Sequence, residues 1–307
     1  MAITVTYYIF YCLEMIFSVI AFLLHIIGII AIHKNPTKNN QNLILCSLSM
    51  AEIISLSFSI VAMICERMDT PSFKVIEILV TIFLYVSNYE LVMVMLLLTA
   101  DRLVCVLDPL KYPTRMTRKR LMTALAVSWG ISFTIGITRG VTPSHYLRET
   151  ITTMIYVFGG SYVMFAIITY SYIMLKIRMS MQTFSSSRYR LRVRKEFLVP
   201  GVIILTFLFL YYIPYAVYHF IYKQLDRTHS ASEKRSHLVG YAICDLLPSV
   251  AYGADAFIYI IFTKRYRNII INMFKCSRPQ ASTICRGRTC TQVVCIHNPV
   301  PTRCKTV

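Results

Sequence analysis

Seven long apolar stretches, separated by short polar segments, dominate the pattern of hydrophobic and polar positions along this chain. A hydrocarbon core of about 30 Å needs roughly 20 apolar residues for each helical crossing. The stretches that meet or approach this length are residues 7–33, 41–65, 75–106, 121–138, 151–177, 197–222 and 238–262. We therefore predict an all-α membrane protein built as a seven-transmembrane helix bundle, and we number these stretches as the first to seventh spans.

The segment after the seventh span has a different periodicity. Over residues 263–275, one helical face collects the apolar side chains Tyr266, Ile269, Ile270 and Phe274. This spacing predicts a short amphipathic eighth helix that lies in the membrane interface. Residues 1–275 then form the helix bundle, and residues 276–307 form a cytoplasmic tail that we expect to be disordered.

The tail is unusually rich in cysteine, with five of the chain's ten cysteines. Cys276 follows the amphipathic helix directly, a position typical of reversible palmitoylation. Two alternatives stay open: a zinc site that includes His297, although the spacings match no zinc-finger pattern, or a set of free reduced thiols.

Composition and charge narrow the class of protein. The chain is 56% hydrophobic and only 15% charged, with a mean hydropathy of +0.58, and the seven spans leave no room for a separate soluble domain. The net charge of +18 could suggest nucleic acid, but membrane spans separate the basic segments. With the N-terminus outside, 24 of the 32 Lys and Arg residues fall on the cytoplasmic side. This asymmetry predicts an outside N-terminus, a cytoplasmic C-terminus and contact with anionic membrane lipids, and it argues against a nucleic-acid partner.

The third span ends in an acid–arginine pair, Asp101-Arg102-Leu103. Ionisable residues near membrane depth are costly and usually functional. The alternative interpretation is an ordinary ion pair at a helix end beside water.

Further motifs follow in order, each on its predicted element. They are Asp108-Pro109-Leu110-Lys111-Tyr112 after the third span, Trp129 in the fourth, Tyr170-Ser171-Tyr172-Ile173 in the fifth, Tyr211-Tyr212-Ile213-Pro214 in the sixth, Asp255-Ala256-Phe257-Ile258-Tyr259 in the seventh, and Phe262-Thr263-Lys264-Arg265 at the start of the eighth helix. Together with the acid–arginine pair, this series resembles the rhodopsin-like (class A) G-protein-coupled receptors over about residues 8–275.

The resemblance implies a receptor in the plasma membrane and not an enzyme. Such a receptor binds an extracellular ligand within the bundle and activates a heterotrimeric G protein through outward movement of the sixth helix. The residues that the resemblance assigns to the activation switch are Asp101, Arg102, Tyr170, Tyr212, Pro214 and Tyr259. Ser185, Ser186 and Ser187 beside Arg188 also suggest arrestin and receptor kinases as partners. A multi-pass transporter or channel remains the alternative, although no internal repeat is visible.

The resemblance also brings three ionisable residues to one site near the middle of the membrane: His25, Glu52 and Asp255. Two carboxylates there cannot both be ionised cheaply, so they should share a proton, bind a cation or use His25 as a partner. Na⁺ at Glu52 and a bound proton are the two functional alternatives, and a hydrogen-bond network without an ion is the third. Leu91 supplies no hydroxyl where relatives often have serine, which favours the proton. No other metal and no cofactor is expected.

The outer half of the bundle supplies the candidate ligand pocket. Its residues are Leu84, Asn88, Tyr212, Tyr215, His219, Asp245 and Ser249. An acid facing tyrosines could hold a cationic ligand through charge and cation–π contact, whereas the alternative is an aromatic belt at the membrane interface. Leu84 occupies the position where amine receptors have an aspartate, and Ser249 that of the opsin lysine, so neither a biogenic amine nor a retinal Schiff base is expected. The ligand itself stays unknown.

One departure from the family pattern concerns the outer surface. Glu77 stands where the family has the cysteine of its third span, and residues 139–150 contain no cysteine. We therefore expect the usual disulfide to be absent and the outer loops to be looser.

Overall fold

The computed structural model describes residues 2–34, 40–65, 74–108, 110–142, 144–183, 201, 213–214, 217, 231–262, 264–274, 285–286 and 289–290. Its helices, numbered in chain order, are α1 (Ala2–His33), α2 (Asn40–Cys65), α3 (Lys74–Leu107), α4 (Tyr112–Arg115), α5 (Arg118–Val141), α6 (His145–Thr183), α7 (Ala231–Phe262) and α8 (Lys264–Phe274). Two short strands, β1 (Cys285–Arg286) and β2 (Thr289–Cys290), pair antiparallel with Cys285 opposite Cys290. The predicted all-α membrane class is confirmed.

Six of the predicted spans correspond to described helices, α1, α2, α3, α5, α6 and α7, and α8 corresponds to the predicted amphipathic helix. Most of the sixth span lies outside the described residues, as does the tail except for its two strands. The largest difference in bounds is at α7, which begins at Ala231 instead of residue 238. Hydropathy misses this extension because its residues, from Ala231 to His237, are mostly polar.

The described helices carry their apolar side chains on the outside, as expected for a protein dissolved in lipid. Five segments are long and apolar enough to cross a membrane: Tyr8–His33, Asn40–Cys65, Arg118–Val141, Tyr146–Lys176 and Ala242–Ile261. Exposed side chains on them include Ile16, Leu23 and Val127, each more than half accessible. A continuous apolar surface of this kind would aggregate in water, so its solvent is the bilayer.

Helix α3 is not among those five segments, and it lies at the centre of the described bundle. It packs against α2, α5 and α6, whereas α1 packs mainly against α7. Its buried surface mixes apolar residues such as Leu91, Met95 and Leu98 with polar ones, including Glu90 and Asp101. The central helix therefore carries the polar groups that the surrounding helices shield from lipid.

The contact between α3 and α5 is close where four small residues of α5 face α3. Ser128, Ser132, Gly136 and Gly140 recur every four residues and are all buried. A Cβ atom at Gly136 would lie 2.4 Å from a methyl carbon of Val86 and 2.7 Å from the carbonyl oxygen of Ile82. Small residues at this spacing let helix backbones approach closely in membranes. We call the contact made by these four residues with α3 the α3–α5 seam.

Candidate functional site

The acid–arginine pair lies buried at the C-terminal end of α3, next to the short helix α4. Arg102 Nη2 is 2.8 Å from Asp101 Oδ2, and the two residues are 7% and 0% exposed. The hydroxyl of Tyr112, the first residue of α4, donates a hydrogen bond of 2.7 Å to Asp101 Oδ1. The carboxylate therefore has a charged neighbour on one oxygen and a hydroxyl donor on the other.

The hydroxyl of Tyr112 compensates for poor alignment within the pair. Consecutive residues of a helix do not face each other, so the 2.8 Å approach of Nη2 to Oδ2 is not a well-aligned hydrogen bond. Asp101 Oδ2 and Arg102 Nε each have no hydrogen-bond partner within the described residues. Burial, together with the hydrogen bond to Asp101, raises the pKa of Tyr112 above its ordinary value. Its hydroxyl consequently stays protonated, and stays a donor, throughout the physiological pH range.

Of the other predicted switch residues, Tyr170 and Tyr259 are buried or half-buried near this end of the bundle. The Tyr170 hydroxyl has no hydrogen-bond partner within the described ranges. A Cβ atom at Gly201, in the predicted sixth span, would lie 3.0 Å from the Tyr170 ring. Tyr259 packs against Tyr266 with ring centroids 4.5 Å apart. Pro214 is half-buried and helical, and Tyr212 lies outside the described residues.

The three predicted ionisable residues come from α1, α2 and α7 and line one cavity. His25, Glu52 and Asp255 are 2%, 0% and 3% exposed. His25 Nδ1 lies 3.2 Å from Glu52 Oε2, and the cavity is also lined by Ser49, Leu48 and Tyr259. Its volume is about 20 Å³, enough for one water-sized occupant. We call His25, Glu52 and Asp255 the α1–α2–α7 cluster.

Hydrogen bonding identifies which nitrogen of His25 carries its hydrogen. His25 Nε2 is 3.0 Å from the carbonyl oxygen of Tyr252, and because a carbonyl can only accept, Nε2 must donate. In neutral His25, Nδ1 is then an acceptor that faces the Glu52 carboxyl group. Neither His25 Nδ1 nor Glu52 Oε2 makes a well-formed hydrogen bond within the described residues, and a proton on either group would turn this contact between two acceptors into an attractive one.

The carboxyl oxygens of the cluster lack donors. All four, two on Glu52 and two on Asp255, have no hydrogen-bond partner among the residues that the structure describes. Buried carboxyl oxygens without donors favour protonation or a bound cation. Among the described residues, no group of three or more His, Cys, Asp or Glu side chains has the arrangement of a metal site, so these oxygens fit a bound proton better than Na⁺.

The structure also reveals a buried acid to which the sequence assigned no partner. Glu90 of α3 is 0% exposed, and its two carboxyl oxygens each lie 2.9 Å from a serine hydroxyl of α5, Ser128 and Ser132. The sequence feature that could have indicated these partners is the pair of serines four residues apart in the fourth span. Whether they face Glu90 depends on which face of α5 contacts α3, and a single sequence does not specify that face.

The outer candidates are divided between the described helices and residues outside them. Leu84 and Asn88 on α3 and Asp245 on α7 are half-buried. Ser249 is buried and makes a 2.8 Å hydrogen bond to Ser18 of α1, so its hydroxyl joins two helices. Tyr215 and His219 lie outside the described residues.

Arg139, in the last turn of α5, connects this helix to α3 and α6. The guanidinium carbon of Arg139 is 4.7 Å from the ring centroid of Tyr85 on α3, and its Nε donates to Thr152 of α6 at 3.3 Å. Cys12, Cys46, Cys65, Cys105 and Cys244 carry free thiols. A cation–π contact and a hydrogen bond thus link α5 to α3 and α6.

Helix α8 is anchored to the bundle through a tyrosine. The Tyr266 hydroxyl donates to Asn42 Oδ1 of α2 at 2.5 Å, and the residue is 3% exposed. Cys276, the predicted lipidation site, lies beyond the described end of α8.

Comparison with known proteins agrees with this architecture. A profile of the family "7 transmembrane receptor (rhodopsin family)" matches residues 23–259. The adenosine receptor A2b of Gallus gallus is 30% identical over 131 residues, which cover 41% of this chain and 37% of that receptor. The match therefore spans little more than a third of the relative's length. The family match covers most of the chain, from α1 through Tyr259 of α7, and the chain belongs to the rhodopsin family of seven-transmembrane receptors.

Proposed function

We propose that this receptor binds an extracellular ligand within its helix bundle and activates a heterotrimeric G protein through outward movement of the sixth helix. One observation carries the proposal: a buried arginine at the inner end of the central helix, held by Asp101 and, through it, by Tyr112. An arginine held by a single poorly aligned neighbour can be released at small cost. Once released, its donors can bind the partner, and Tyr170 can supply a hydroxyl to the rearranged site.

The experiment is to measure second-messenger output in transfected cells with a panel of chimeric G proteins. Asp101→Asn removes the charge that holds Arg102, and Tyr112→Phe removes the hydroxyl that orients Asp101. Both variants should raise ligand-independent output, with Asp101→Asn giving the larger rise, whereas Arg102→Ala should reduce output to that of empty vector.

The matched control is the neighbouring surface ion pair between Arg115 and Asp108, whose side chains are 54% and 39% exposed. Exposed pairs contribute little, so Asp108→Asn should leave output unchanged. Equal output from all variants at equal surface expression would contradict the proposed role of Arg102.

The proposed mechanism also needs a particular orientation, with the N-terminus outside and Arg102 facing the cytosol. Epitope tags at the two ends test this in transfected cells. Only the N-terminal tag should stain before permeabilisation, and staining of both tags in intact cells would contradict the orientation.

For the ligand, we propose a binding site that includes Asp245, Leu84 and Asn88. The similar chicken receptor is named for adenosine, so adenosine belongs in the first ligand panel beside small cationic compounds. If the agonist is cationic, Asp245→Asn should abolish its effect and leave basal output intact. A cationic agonist whose potency is the same on Asp245→Asn would exclude Asp245 from the site.

We propose, second, that the α1–α2–α7 cluster binds a proton or a cation that influences receptor activity. The support is the 3.2 Å approach of His25 Nδ1 to Glu52 Oε2, together with the carboxyl oxygens that lack donors. Thermal stability of the purified receptor should change with Na⁺ concentration if a cation binds, and with pH alone if a proton binds. Glu52→Gln combined with Asp255→Asn should remove either dependence. Indifference of the wild type to both variables would reject the site.

A further inference from the structure

Glu90 is enclosed by a set of hydroxyls and carbonyls whose hydrogens can be counted. Glu90 Oε1 contacts Ser128 Oγ and Glu90 Oε2 contacts Ser132 Oγ, both at 2.9 Å. Each serine oxygen is also 2.9 Å from a backbone carbonyl of its own helix, that of Leu125 for Ser128 and that of Ser128 for Ser132. The site thus contains four short polar contacts.

The number of hydrogens depends on the charge of Glu90. A serine hydroxyl has one hydrogen, and a carbonyl or an ionised carboxylate has none to donate. With Glu90 ionised, two hydrogens are available for four contacts, so two contacts pair acceptor with acceptor. With Glu90 protonated, the acid donates to one serine, that serine donates to its carbonyl, and the other serine donates to the acid. Three contacts are then satisfied.

The surroundings of Glu90 also disfavour a carboxylate. None of the ion pairs within the described ranges includes Glu90. Its neighbours along α3 on the buried face, Val86, Leu91 and Val94, are 0% exposed and apolar. An ionised carboxylate without a cation in such surroundings is costly, whereas a neutral acid with hydroxyl partners is not.

We propose that Glu90 is a proton-binding site: burial without a neighbouring cation keeps it a neutral carboxylic acid, and in that form its contacts with the Ser128 and Ser132 hydroxyls fasten α3 to α5. The site is separate from the α1–α2–α7 cluster, and the assignment does not depend on G-protein coupling. Glu90 lies twelve residues before Arg102 on the same helix. The neutral acid therefore positions the helix that carries the proposed switch, through a contact that the close approach at Gly136 and Gly140 protects from solvent.

Infrared spectroscopy of the purified full-length receptor in lipid tests the protonation directly. A protonated carboxyl group has a carbonyl stretch that is separate from carboxylate absorption and shifts in D₂O. The spectrum of wild type minus Glu90→Gln should contain one such band, and the band should remain in Glu52→Gln. A difference spectrum with carboxylate absorption alone would overturn the proposal.

The serines supply a second test in which Glu90 itself is retained. Replacing Ser128 and Ser132 by alanine removes both hydroxyl partners, so the Glu90 band should move to higher frequency as its hydrogen bonds are lost. Thr134→Val is the matched control, because the Thr134 hydroxyl lies on an exposed part of α5 and bonds only within that helix. An unshifted band in the serine variant, or an equal shift in the control, would exclude the serines as partners.

Thermal stability tests whether Glu90 stabilises the contact between α3 and α5. Glu90→Gln keeps a donor and an acceptor and should melt close to the wild type, whereas Glu90→Leu removes every hydrogen bond between residue 90 and the two serines and should melt clearly lower. Equal melting temperatures for the two variants would show that the acid does not fasten the helices. If Glu90→Leu fails to fold, the serine double variant gives the same comparison.

Discussion

The α3–α5 seam and the α1–α2–α7 cluster both bury carboxyl groups between helices, but they differ in the hydrogen-bond partners and the free volume around those groups. In the seam, each oxygen of Glu90 meets a serine hydroxyl at 2.9 Å, and two glycines bring the helices into close contact. In the cluster, Glu52 and Asp255 face a cavity and retain oxygens without donors among the described residues. A close contact in which the polar groups have hydrogen-bond partners favours a fixed arrangement of the helices. A contact in which some polar groups lack partners, and which leaves a cavity, can take up a proton or an ion.

This contrast suggests a division of labour within the bundle. The seam holds the central helix, with Arg102 at its C-terminal end, against α5. The cluster connects α7, which carries Tyr259, to α1 and α2. Changes in the seam should therefore act mainly on folding, and changes in the cluster mainly on the response to ions, protons and ligand.

The largest expected effect comes from a methyl group added to the seam. Gly136→Ala places a Cβ atom 2.7 Å from the Ile82 carbonyl oxygen, a backbone atom that cannot turn away. Overpacking typically costs about 1–3 kcal/mol, and contact with backbone puts this site at the upper end. We expect a strong loss of folded receptor, measured as surface expression and melting temperature.

Gly130 on the same helix is the matched control, since a Cβ atom there would meet nothing within 4 Å. Gly130→Ala should be neutral or stabilising, because glycine lowers helix stability by about 0.5–1 kcal/mol relative to alanine. Equal effects of the two substitutions would show that the seam is not closely packed in the membrane.

In the cluster, the expected effect depends on whether one partner or both are replaced. Removing one partner of a buried contact leaves the other without a hydrogen-bond partner, which costs about 1–3 kcal/mol, whereas replacing both with apolar groups of similar shape can be nearly neutral. His25→Leu alone should therefore destabilise the receptor more than His25→Leu combined with Glu52→Met. The stability of each variant is measured by thermal unfolding. If the losses of stability from the two single substitutions add up in the double variant, the two side chains are not coupled.

The smallest expected effect concerns a hydrogen bond outside both regions. Trp129 Nε1 donates to Ser47 Oγ at 3.0 Å, which joins α5 to α2. Hydrogen bonds between membrane helices average about 0.6 kcal/mol and reach about 1.7 kcal/mol. Trp129→Phe should lower thermal stability by an amount in this range, and a loss as large as that of Gly136→Ala would remove the basis for ranking the seam first.

The division between predictable and unpredictable features has a physical cause. Spans such as 41–65 and 75–106 lie within one residue of α2 and α3, because a bilayer imposes a length and a polarity that hydropathy detects directly. The contact between His25 and Glu52 was also expected, because the family resemblance aligned their positions. These features depend on one helix or on a shared register.

The seam and the role of Tyr112 could not be predicted in the same way. Ser128 and Ser132 look like any small polar residues in an apolar helix until the rotation of α5 against α3 is known. Tyr112 was part of a quoted motif, but its hydrogen bond to Asp101 depends on how α4 folds back beneath α3. Contacts between helices far apart in the sequence require the tertiary structure.

The most direct test of the proposed switch is guanine-nucleotide exchange by purified heterotrimeric G proteins in the presence of the full-length receptor in lipid. With at least one G-protein class, Asp101→Asn should exchange nucleotide faster than the wild type, and Arg102→Ala should be no faster than lipid alone. Exchange by Arg102→Ala at the rate of Asp101→Asn would contradict the assignment of Arg102 as the residue that couples this receptor to its G protein.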